Sequence, residues 1–284
     1  MRIVTTLAEL RELEPPRRGD APGRRAVVMT MGALHAGHLA LVRTARVSAD
    51  QVVVSVFVNP LQFNDAGDLA SYPRTLEADA ALLESAGVDV LFAPEASAMY
   101  PHGDPTVTVS AGAIGEVLEG AHRPGHFDGV LTVVLKLMHL VRPDVAFFGQ
   151  KDAQQLIAIR AMVRDLDLPV QIQAVPTVRD TDGLALSSRN VHLSSEERER
   201  ALSLSRALNA ARQAAEAGAS VVDTLAAGRA VLAHAADVVV DYLAALDPSD
   251  SHPVAGDHRG DVVIAVAATV GATRLIDNVV TRIR

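Results

Sequence analysis

Two hydrophobic patterns alternate along the first two thirds of the chain. Short apolar runs, many of them β-branched, predict buried strands at Ala26–Met31, Gln51–Val58, Val88–Phe92, Asp144–Phe148 and Val170–Val175. Apolar positions at helical spacing predict helices at Leu7–Leu13, His38–Ser48, Arg74–Ala86, Asp128–Leu140 and Asp152–Asp165. Strands that alternate with helices indicate βαβ units, and therefore a parallel sheet covered by helices.

The segments between these elements are rich in turn-forming and polar residues. We expect a loop at Arg17–Arg25, a turn at Gly32–Gly37, a long loop at Asn59–Tyr72 and an irregular glycine-rich segment at Ala111–His126. One further short strand is predicted at Thr106–Ser110. Because open parallel sheets bind ligands at the carboxyl ends of their strands, the links after strands are where binding residues are expected.

The pattern changes after Asn190. Two helices are predicted at Ser195–Glu216 and Val221–Ala235, followed by alternating strands at Val238–Ala245, Asp261–Ala267 and Leu275–Val280. Their links contain Pro, Gly, Asp and Ser, which favours an antiparallel sheet. We therefore predict two domains, a larger α/β domain at residues 1–177 and a smaller α+β domain at residues 178–284.

Composition and charge narrow the possible functions. The 284 residues carry a net charge of −8 and no cysteine, which excludes disulfides, thiolate metal sites and a cysteine nucleophile. Binding of nucleic acid needs a basic stripe, so the acidic balance argues against that class but not against a locally positive ATP pocket. Residues 1–14 are charged and the apolar stretches are strand-sized. We therefore expect no signal peptide, no membrane span and a cytoplasmic location.

The first candidate motif, Met31–His38, lies between a predicted strand and a predicted helix. A helix N-terminus offers unpaired N–H groups and a partial positive charge, and phosphates bind there readily. His35 and His38 are three residues apart and can point the same way, while Gly37 lets a nucleotide approach the backbone closely. Two alternatives stay open: the histidines are incidental, or they are a metal-binding pair that lacks a nearby third ligand.

Two further motifs carry groups that suit phosphate. Gly149–Asp152 follows a predicted strand and contains Lys151, one of only two lysines in the chain, which can act as a point charge on phosphate. Leu186–Asn190 places two hydroxyls and a guanidinium in series. Helix capping by Asp152 and an ordinary polar loop are the structural alternatives.

Two more segments contain polar groups near predicted element ends. Phe57–Phe63 includes Gln62, whose amide both donates and accepts hydrogen bonds, as binding of a polar ligand requires. Arg123–Gly129 enters a predicted helix, and Asp128 as its N-cap accounts for part of that segment. For Phe57–Phe63 the alternative is a strand end with turn residues.

Together these segments resemble the motif set of the pantothenate synthetase (pantoate–β-alanine ligase) family. The matches are Met-Gly-Ala-Leu-His-Ala-Gly-His at 31–38, Phe-Val-Asn-Pro-Leu-Gln-Phe at 57–63, Pro-Gly-His-Phe-Asp-Gly at 124–129, Phe-Gly-Gln-Lys-Asp at 148–152, Leu-Ser-Ser-Arg-Asn at 186–190 and Arg-Leu-Ile-Asp-Asn at 274–278. The His-x-Gly-His element alone marks only the broader adenylyl-transferring superfamily, which includes class I aminoacyl-tRNA synthetases. The resemblance implies a Rossmann-like nucleotidyl-transferase domain with a parallel sheet, a smaller domain that forms a lid over the ATP site, and a homodimer.

The resemblance also implies residue roles. The implied ATP-binding residues are Met31, Gly32, Ala33, Leu34, His35, Ala36, Gly37, His38, Gly149, Gln150, Lys151, Asp152, Val178, Leu186, Ser187, Ser188 and Arg189. Of these, the implied catalytic residues are His35, His38, Lys151 and Arg189. Gln62 and Gln155 are implied to hold pantoate and β-alanine, and Arg123 and His126 match positions near the site.

Mg²⁺ is implied as a cofactor that sits mostly on the phosphates. The family's flexible loop matches about Gln62–Asp79, and Asp79 is the candidate protein ligand, although Ala78 interrupts its acidic cluster with Glu77.

The implied reaction is the ATP-dependent condensation of (R)-pantoate with β-alanine, which gives pantothenate, AMP and pyrophosphate through a pantoyl-adenylate. Its place is in pantothenate and coenzyme A biosynthesis. Three alternatives are an adenylyl transferase that makes a dinucleotide, a tRNA synthetase, and a nucleotide-sensing module without catalysis. A dinucleotide-forming site would need more phosphate-binding arginines, and a tRNA synthetase would need a basic tRNA-binding domain.

Overall fold

The computed structural model describes all 284 residues, which form two compact units. The first consists of Met1–Gly149 with Ala158–Val175, and the second of Gln150–Ile157 with Pro176–Arg284. The domain division between residues 177 and 178 stays a prediction. None of the helices combines the length and apolarity needed to cross a membrane.

The first unit contains a parallel sheet and the helices that connect its strands. Its strands are β1 (Arg2–Val4), β2 (Arg17–Arg18), β3 (Ala21–Pro22), β4 (Arg25–Thr30), β5 (Gln51–Val56), β6 (Val90–Phe92), β7 (Val145–Gly149) and β8 (Gln171–Val175). Its helices are α1 (Leu7–Arg11), α2 (Ala36–Ser48), α3 (Ala66–Ser71), α4 (Leu76–Ser85), α5 (Ala96–Met99), α6 (Glu119–His122), α7 (His126–Val141) and α8 (Ala153–Asp165), the last beginning within the segment that belongs to the second unit. Single 3-10 turns lie at Pro60–Gln62 and Gly112–Glu116.

Six strands form the parallel sheet in the order β1-β6-β5-β4-β7-β8. The pairing is parallel throughout, with Val28 opposite Val54 on one side of β4 and opposite Phe147 on the other. The central strands are buried on both faces, and Val27, Val28, Val53 and Val54 are 0% exposed. Complete burial of such a side chain contributes about 1.5–3 kcal/mol, so these strands form the core that fixes the sheet. The predicted α/β class with a parallel sheet is confirmed.

The second unit packs two helices on an antiparallel sheet. The elements after residue 190 are α9 (Ser195–Glu216), α10 (Val221–Leu232), β9 (Val238–Leu246), β10 (Gly260–Val270) and β11 (Thr273–Ile283). β10 lies between β9 and β11, and its pairing with β9 shifts register between Ala267 and Ala268. The core of this unit combines buried alanines of α9, such as Ala207 and Ala211, with alternate residues of β10.

Several short elements were missed by the sequence prediction. β1 pairs with β6 at the sheet edge, the predicted loop at Arg17–Arg25 contains the β2–β3 hairpin, and the predicted loop at Asn59–Tyr72 contains a 3-10 turn and α3. The predicted strand at Thr106–Ser110 is wrong, because this segment has no strand pairing. Elements of two to six residues carry too little periodicity to be recognised, since they depend on tertiary pairing and packing.

Three helix starts differ from the prediction by two residues, and one of them is α4, which begins at Leu76 instead of Arg74. α2 begins at Ala36 with His35 as its N-cap, so the predicted turn at Gly32–Gly37 is shorter. α7 begins at His126 after Gly125, whose φ of 77° lies in the left-handed region. Asp128 is therefore not the N-cap; it lies in the first turn, where its Oδ1 accepts the N–H of Ala111 at 2.6 Å.

Candidate active site

Three of the predicted motifs follow neighbouring strands at one edge of the parallel sheet. β4 ends at Thr30, β5 at Val56 and β7 at Gly149, and β4 lies between the other two. The chain moves outward from β4 through β5 to β6, and it then returns to the other side of β4 as β7. Open parallel sheets bind ligands outside the carboxyl ends of the strands where the strand order reverses in this way. The motifs therefore begin where this topology is expected to bind a ligand.

The two histidines of the first motif are fixed to the start of α2. Nδ1 of His35 accepts the N–H of Gly37 at 3.1 Å, and Nδ1 of His38 accepts the N–H of His35 at 3.3 Å. The ring centroids are 4.1 Å apart. Because Nδ1 is an acceptor in both rings, the neutral imidazoles carry their proton on Nε2. Each ring is thus an Nε2–H donor at a helix N-terminus, where the helix dipole already favours an anion.

Asp79 holds the backbone that precedes these histidines. It is 1% exposed, and its carboxylate accepts the N–H groups of Ala33 at 3.0 Å and Leu34 at 2.8 Å and the hydroxyl of Thr75 at 3.1 Å. Ala33 has a φ of 50°, in the left-handed region, which costs a non-glycine residue about 1–2 kcal/mol. Hydrogen bonds to an ionised carboxylate offset this cost.

These contacts favour a structural role for Asp79. Both oxygens of its carboxylate already bind donors of the protein, whereas a magnesium ligand must direct an oxygen at the ion. No group of three or more His, Cys, Asp or Glu side chains is arranged to hold a metal ion. The assignment of Asp79 to Mg²⁺ stays a prediction that these contacts do not support.

Gln62 lies against the first motif. It is 8% exposed, its Nε2 donates to Sδ of Met31 at 3.0 Å, and its Oε1 accepts from Nδ2 of Asn59 at 3.2 Å. Asn59 also donates to the carbonyl oxygen of Gly129 at 3.1 Å and accepts from the hydroxyl of Tyr100 at 2.9 Å. This network fixes the side-chain amide of Gln62 with its NH₂ group toward Met31. A predicted pantoate residue and a predicted ATP residue are therefore in contact.

Tyr100 is buried behind this network. Burial, followed by the negative charge of Asp104, raises the pKa of its phenol to about 12. The ammonium of Lys136 lies 4.9 Å from the centre of the Tyr100 ring and donates to the carbonyl oxygen of Met99. Burial and the charge of Arg11 lower the pKa of Lys136. The Tyr100 phenol therefore stays neutral and donates to Asn59 throughout the physiological range of pH.

Arg123 and His126 bind the backbone of Gln62. The carbonyl oxygen of Gln62 accepts from Nδ1 of His126 at 2.8 Å and from Nη2 of Arg123 at 3.3 Å. Since Nδ1 of His126 donates, its Nε2 is the acceptor for Nη1 of Arg123, 3.3 Å away. The sequence left the roles of these two residues open, and the structure gives them a role in positioning Gln62.

The second unit contains the other phosphate-binding candidates. Gln150 and Lys151 form the turn before α8, Nζ of Lys151 lies 4.0 Å from Oδ1 of Asp152, and the carbonyl oxygen of Asp152 accepts the N–H of Leu156 at 2.9 Å. Asp152 is exposed at the entry to the helix, and Gln155 is half-buried one turn along it.

The Leu186–Arg189 segment forms a defined turn in the same unit. The N–H of Leu186 donates to the carbonyl oxygen of Val178 at 2.9 Å, so two predicted ATP residues lie opposite each other. Ser187 caps a 3-10 helix at Ser188–His192, and its hydroxyl oxygen accepts the N–H of Arg189 at 3.3 Å. Both serines are half-buried and Arg189 is exposed. The turn therefore carries two hydroxyls and a guanidinium on three consecutive residues.

Comparison with known proteins decides the family. The profile described as Pantoate-beta-alanine ligase matches residues 2–280. A pantothenate synthetase from Thermobifida fusca is 56% identical over 286 residues, which cover 98% of this chain and 94% of that protein. This chain belongs to the pantoate–β-alanine ligase family. The relationship extends over both units, because the match includes nearly all residues of each.

Solved structures of the family have the same fold. Pantothenate synthetase from Thermus thermophilus has a TM-score of 0.91 at 50% identity, covering 98% of this chain and 99% of that one. Pantoate-β-alanine ligase from Francisella tularensis, described as complexed with β-γ ATP and β-alanine, has a TM-score of 0.77 at 33% identity. That comparison covers 98% of this chain and 97% of the Francisella chain.

Several contacts around the predicted site residues were not foreseen from the sequence. Asn59 and Tyr100 orient Gln62, and Arg179 and Asp277 form an ion pair in the second unit. The available signal for Asn59 and Asp277 was their place in the motif matches at 57–63 and 274–278. Tyr100 and Arg179 lie outside every predicted helix and strand, and their partners are 41 and 98 residues away, so no local pattern identifies them.

Proposed function

We propose that this chain condenses (R)-pantoate with β-alanine at the expense of ATP, which gives pantothenate, AMP and pyrophosphate through a pantoyl-adenylate. The observation that carries this proposal is the family relationship over residues 2–280, together with the three motifs that follow β4, β5 and β7 at one sheet edge. The relative from Francisella tularensis, complexed with β-γ ATP and β-alanine, supports both substrates.

The first half-reaction activates the carboxylate of pantoate. One carboxylate oxygen attacks the α-phosphorus of ATP, the bond to the bridging oxygen breaks, and pyrophosphate leaves with that electron pair. The protein does little covalent chemistry in such a transfer; it aligns the reactants and neutralises charge. We assign charge neutralisation to the catalytic residues His35, His38, Lys151 and Arg189, assisted by Ser187 and Ser188.

The geometry of α2 supports the assignment of its two histidines. Their Nε2–H groups donate from a helix N-terminus, and the contacts of Nδ1 hold both rings in place, so little reorganisation is needed when negative charge develops. The nucleotide is assigned to the backbone of the same motif and to the other residues that the family resemblance implies: Met31, Gly32, Ala33, Leu34, Ala36, Gly37, Gly149, Gln150, Asp152, Val178 and Leu186.

We assign pantoate and β-alanine to the site that contains Gln62 and Gln155, with both glutamines on pantoate. Because Oε1 of Gln62 already accepts from Asn59, the group that Gln62 offers to pantoate is its NH₂ donor. In the second half-reaction the neutral amine of β-alanine attacks the acyl carbon, the bond from that carbon to the AMP oxygen breaks, AMP leaves with the electron pair, and the amine proton passes to solvent. Most of the β-alanine amine is protonated near pH 7, so loss of solvation in the site favours the reactive form.

Mg²⁺ is proposed to enter as part of the nucleotide substrate. The side chains present do not form a protein site for it, since the carboxylate of Asp79 binds backbone groups. Mg²⁺ commonly keeps several water ligands and binds substrate phosphates. A homodimer and a cytoplasmic location are further proposals taken from the family; sedimentation equilibrium of the purified protein tests the dimer.

Pyrophosphate release tests the proposed function. We expect purified protein with MgATP and pantoate to release pyrophosphate without β-alanine, and to form AMP and an amide once β-alanine is added. A nucleotide-sensing module would bind ATP but release no pyrophosphate with pantoate. A dinucleotide-forming enzyme would instead require a phosphorylated acceptor, and either result would overturn the proposal.

A further inference from the structure

Two adjacent residues of β11, Asp277 and Asn278, contact both phosphate-binding segments of the second unit. They are 4% and 6% exposed, and neither belongs to the set of proposed substrate contacts. Asn278 bonds to the turn that contains Lys151, and Asp277 bonds to the hairpin that precedes Ser187. Both are therefore buried polar side chains, and their hydrogen-bond partners lie 98 and 128 residues away in the sequence.

Asn278 fixes the turn between β7 and α8. Its Nδ2 donates to the carbonyl oxygen of Gln150 at 2.9 Å and to that of Lys151 at 2.8 Å. A side-chain amide has two N–H donors, so both are used on consecutive carbonyl groups. Two such bonds set the directions of two neighbouring peptide groups, and therefore the direction in which the Lys151 side chain leaves the backbone.

Asp277 fixes the second segment through Arg179. Its carboxylate accepts from Nη1 of Arg179 at 2.6 Å and from Nη2 at 2.9 Å, a bidentate pair. Nη1 also donates to the carbonyl oxygen of Gly183 at 3.2 Å, and Arg179 pairs with Ala185 across the hairpin. The hairpin continues directly into Leu186 and Ser187, so its anchor sets where these residues lie.

The contacts of Asn278 and those of Asp277 are joined within β11. The N–H of Asn278 donates to Oδ1 of Asp277 at 2.8 Å, and the carbonyl oxygen of Asn278 accepts from Nη2 of Arg179 at 3.4 Å. β11 itself is held by antiparallel pairing with β10 along its whole length. A rigid strand thus connects the backbone of Lys151 with the hairpin of Ser187.

We propose that Asn278 is a positioning residue for Lys151, and that Asp277 with Arg179 positions the Ser187–Arg189 turn. This inference rests on the proposed function, because it concerns how that site holds the phosphates of ATP. Asn278 is not among the proposed substrate contacts; it acts through the backbone of Lys151. A displacement of about 1 Å in a catalytic group can cost about a hundredfold in rate, so a residue with this role has a measurable effect on turnover.

The substitution Asn278→Asp tests whether Asn278 positions Lys151. It keeps the shape of the side chain but replaces the donating NH₂ group with an oxygen that faces two carbonyl oxygens. We expect kcat for pyrophosphate release to fall about ten- to a hundredfold, with the KM for pantoate changed less than about twofold. Arg282→Ala is the matched control, since Arg282 is on the same strand as Asn278 and forms only an exposed ion pair with Asp261 of β10. This variant is expected to leave kcat unchanged.

A double-mutant cycle separates positioning from general destabilisation. If Asn278 acts through Lys151, Asn278→Asp has little further effect once Lys151 is replaced by alanine. Equal losses in the two backgrounds, or a full rate for Asn278→Asp, would overturn the inference. Should Asn278→Asp not fold, Asn278→Ser, which keeps one donor, decides by the same cycle with a smaller expected loss.

Affinity for ATP keeps this inference distinct from the proposed function. The cycle is repeated on the Kd of a non-hydrolysable ATP analogue, measured by calorimetry. If the wild-type protein binds the analogue but releases no pyrophosphate with pantoate, the proposed function fails while the coupling of Asn278 to Lys151 is still measured. Absence of that coupling in binding and in turnover is the result that contradicts the role of Asn278.

Discussion

At the residue scale, the site depends on side chains whose orientation is set by local hydrogen bonds. His35 and His38 each use Nδ1 as an acceptor, and Gln62 uses Oε1 as an acceptor, so all three have a defined donor group. The residue types followed from the sequence, because their motifs lie after predicted strands. The proton positions of the histidines did not, because they depend on the backbone conformation of residues 35–38. The amide direction of Gln62 did not, because it depends on Asn59, which Tyr100 orients.

We expect His38→Ala and Lys151→Ala to lower kcat of adenylation by about a hundred- to a thousandfold while folding stays intact. The reason is that each removes a pre-organised charge or donor, a loss that costs about 3–4 kcal/mol of transition-state stabilisation. Pre-steady-state pyrophosphate release measures the effect, with circular dichroism as the check on folding. His102→Ala, at an exposed histidine of the first unit, is the control. A folded His38→Ala protein with near-full turnover would show that this assignment is wrong.

Gln62→Ala is expected to damage pantoate use specifically. It removes the NH₂ donor, and loss of one hydrogen bond to a substrate costs about 1–2 kcal/mol, so kcat/KM for pantoate should fall roughly tenfold while KM for ATP changes little. Steady-state kinetics with each substrate varied in turn measures this. Gln173→Ala, at an exposed position of β8, should leave both values unaltered. Unchanged pantoate kinetics in Gln62→Ala would remove Gln62 from the site.

At the element scale, the close approach of α7 to the 3-10 turn at Pro60–Gln62 positions Gln62. Gly129 makes this approach possible, because a Cβ at this position would overlap the carbonyl oxygen of Leu61 and lie 2.8 Å from the backbone nitrogen of Gln62. α7 and β5, the strand before this turn, were predicted from periodicity. Their contact was not, since a 3-10 turn of three residues has no pattern of its own.

Gly129→Ala is therefore expected to destabilise the fold and to weaken pantoate binding together. Overpacking of this kind costs about 1–3 kcal/mol, and the turn that carries Gln62 must shift to relieve it. Thermal unfolding and the KM for pantoate are the two measurements. The exposed His139, on the same helix, provides the control variant His139→Ala. Unaltered stability in Gly129→Ala would mean that α7 and the turn are not in the contact described.

At the scale of the whole molecule, the order of strands and helices follows from the sequence better than the boundaries of the units do. Each βαβ step is a local pattern, so the parallel sheet and the later antiparallel sheet could be predicted. The assignment of Gln150–Ile157 to the second unit could not, because this segment has partners far along the chain, such as Asn278, which is 128 residues beyond Gln150.

Stability at alkaline pH reports on the buried phenol of Tyr100. Burial raises its pKa to about 12, above the ordinary value of 10.0. The unfolded chain loses this proton from about pH 10 upward, whereas the folded protein keeps it until about pH 12. The contribution of the neutral phenol to the free energy of unfolding is therefore complete below pH 10 and is lost as pH rises toward 12. Over this window the wild type should lose up to about 3 kcal/mol more unfolding free energy than Tyr100→Phe. Denaturant titrations at each pH measure the difference; parallel curves for the two proteins would contradict it.

Transfer of oxygen from pantoate to AMP tests the central claim most directly. With both carboxylate oxygens of pantoate labelled with ¹⁸O, attack on the α-phosphorus predicts one ¹⁸O in the phosphate of AMP and one in the amide of the product, as measured by mass spectrometry. Unlabelled AMP, or label in inorganic phosphate or pyrophosphate instead, would contradict a pantoyl-adenylate and the function derived from it.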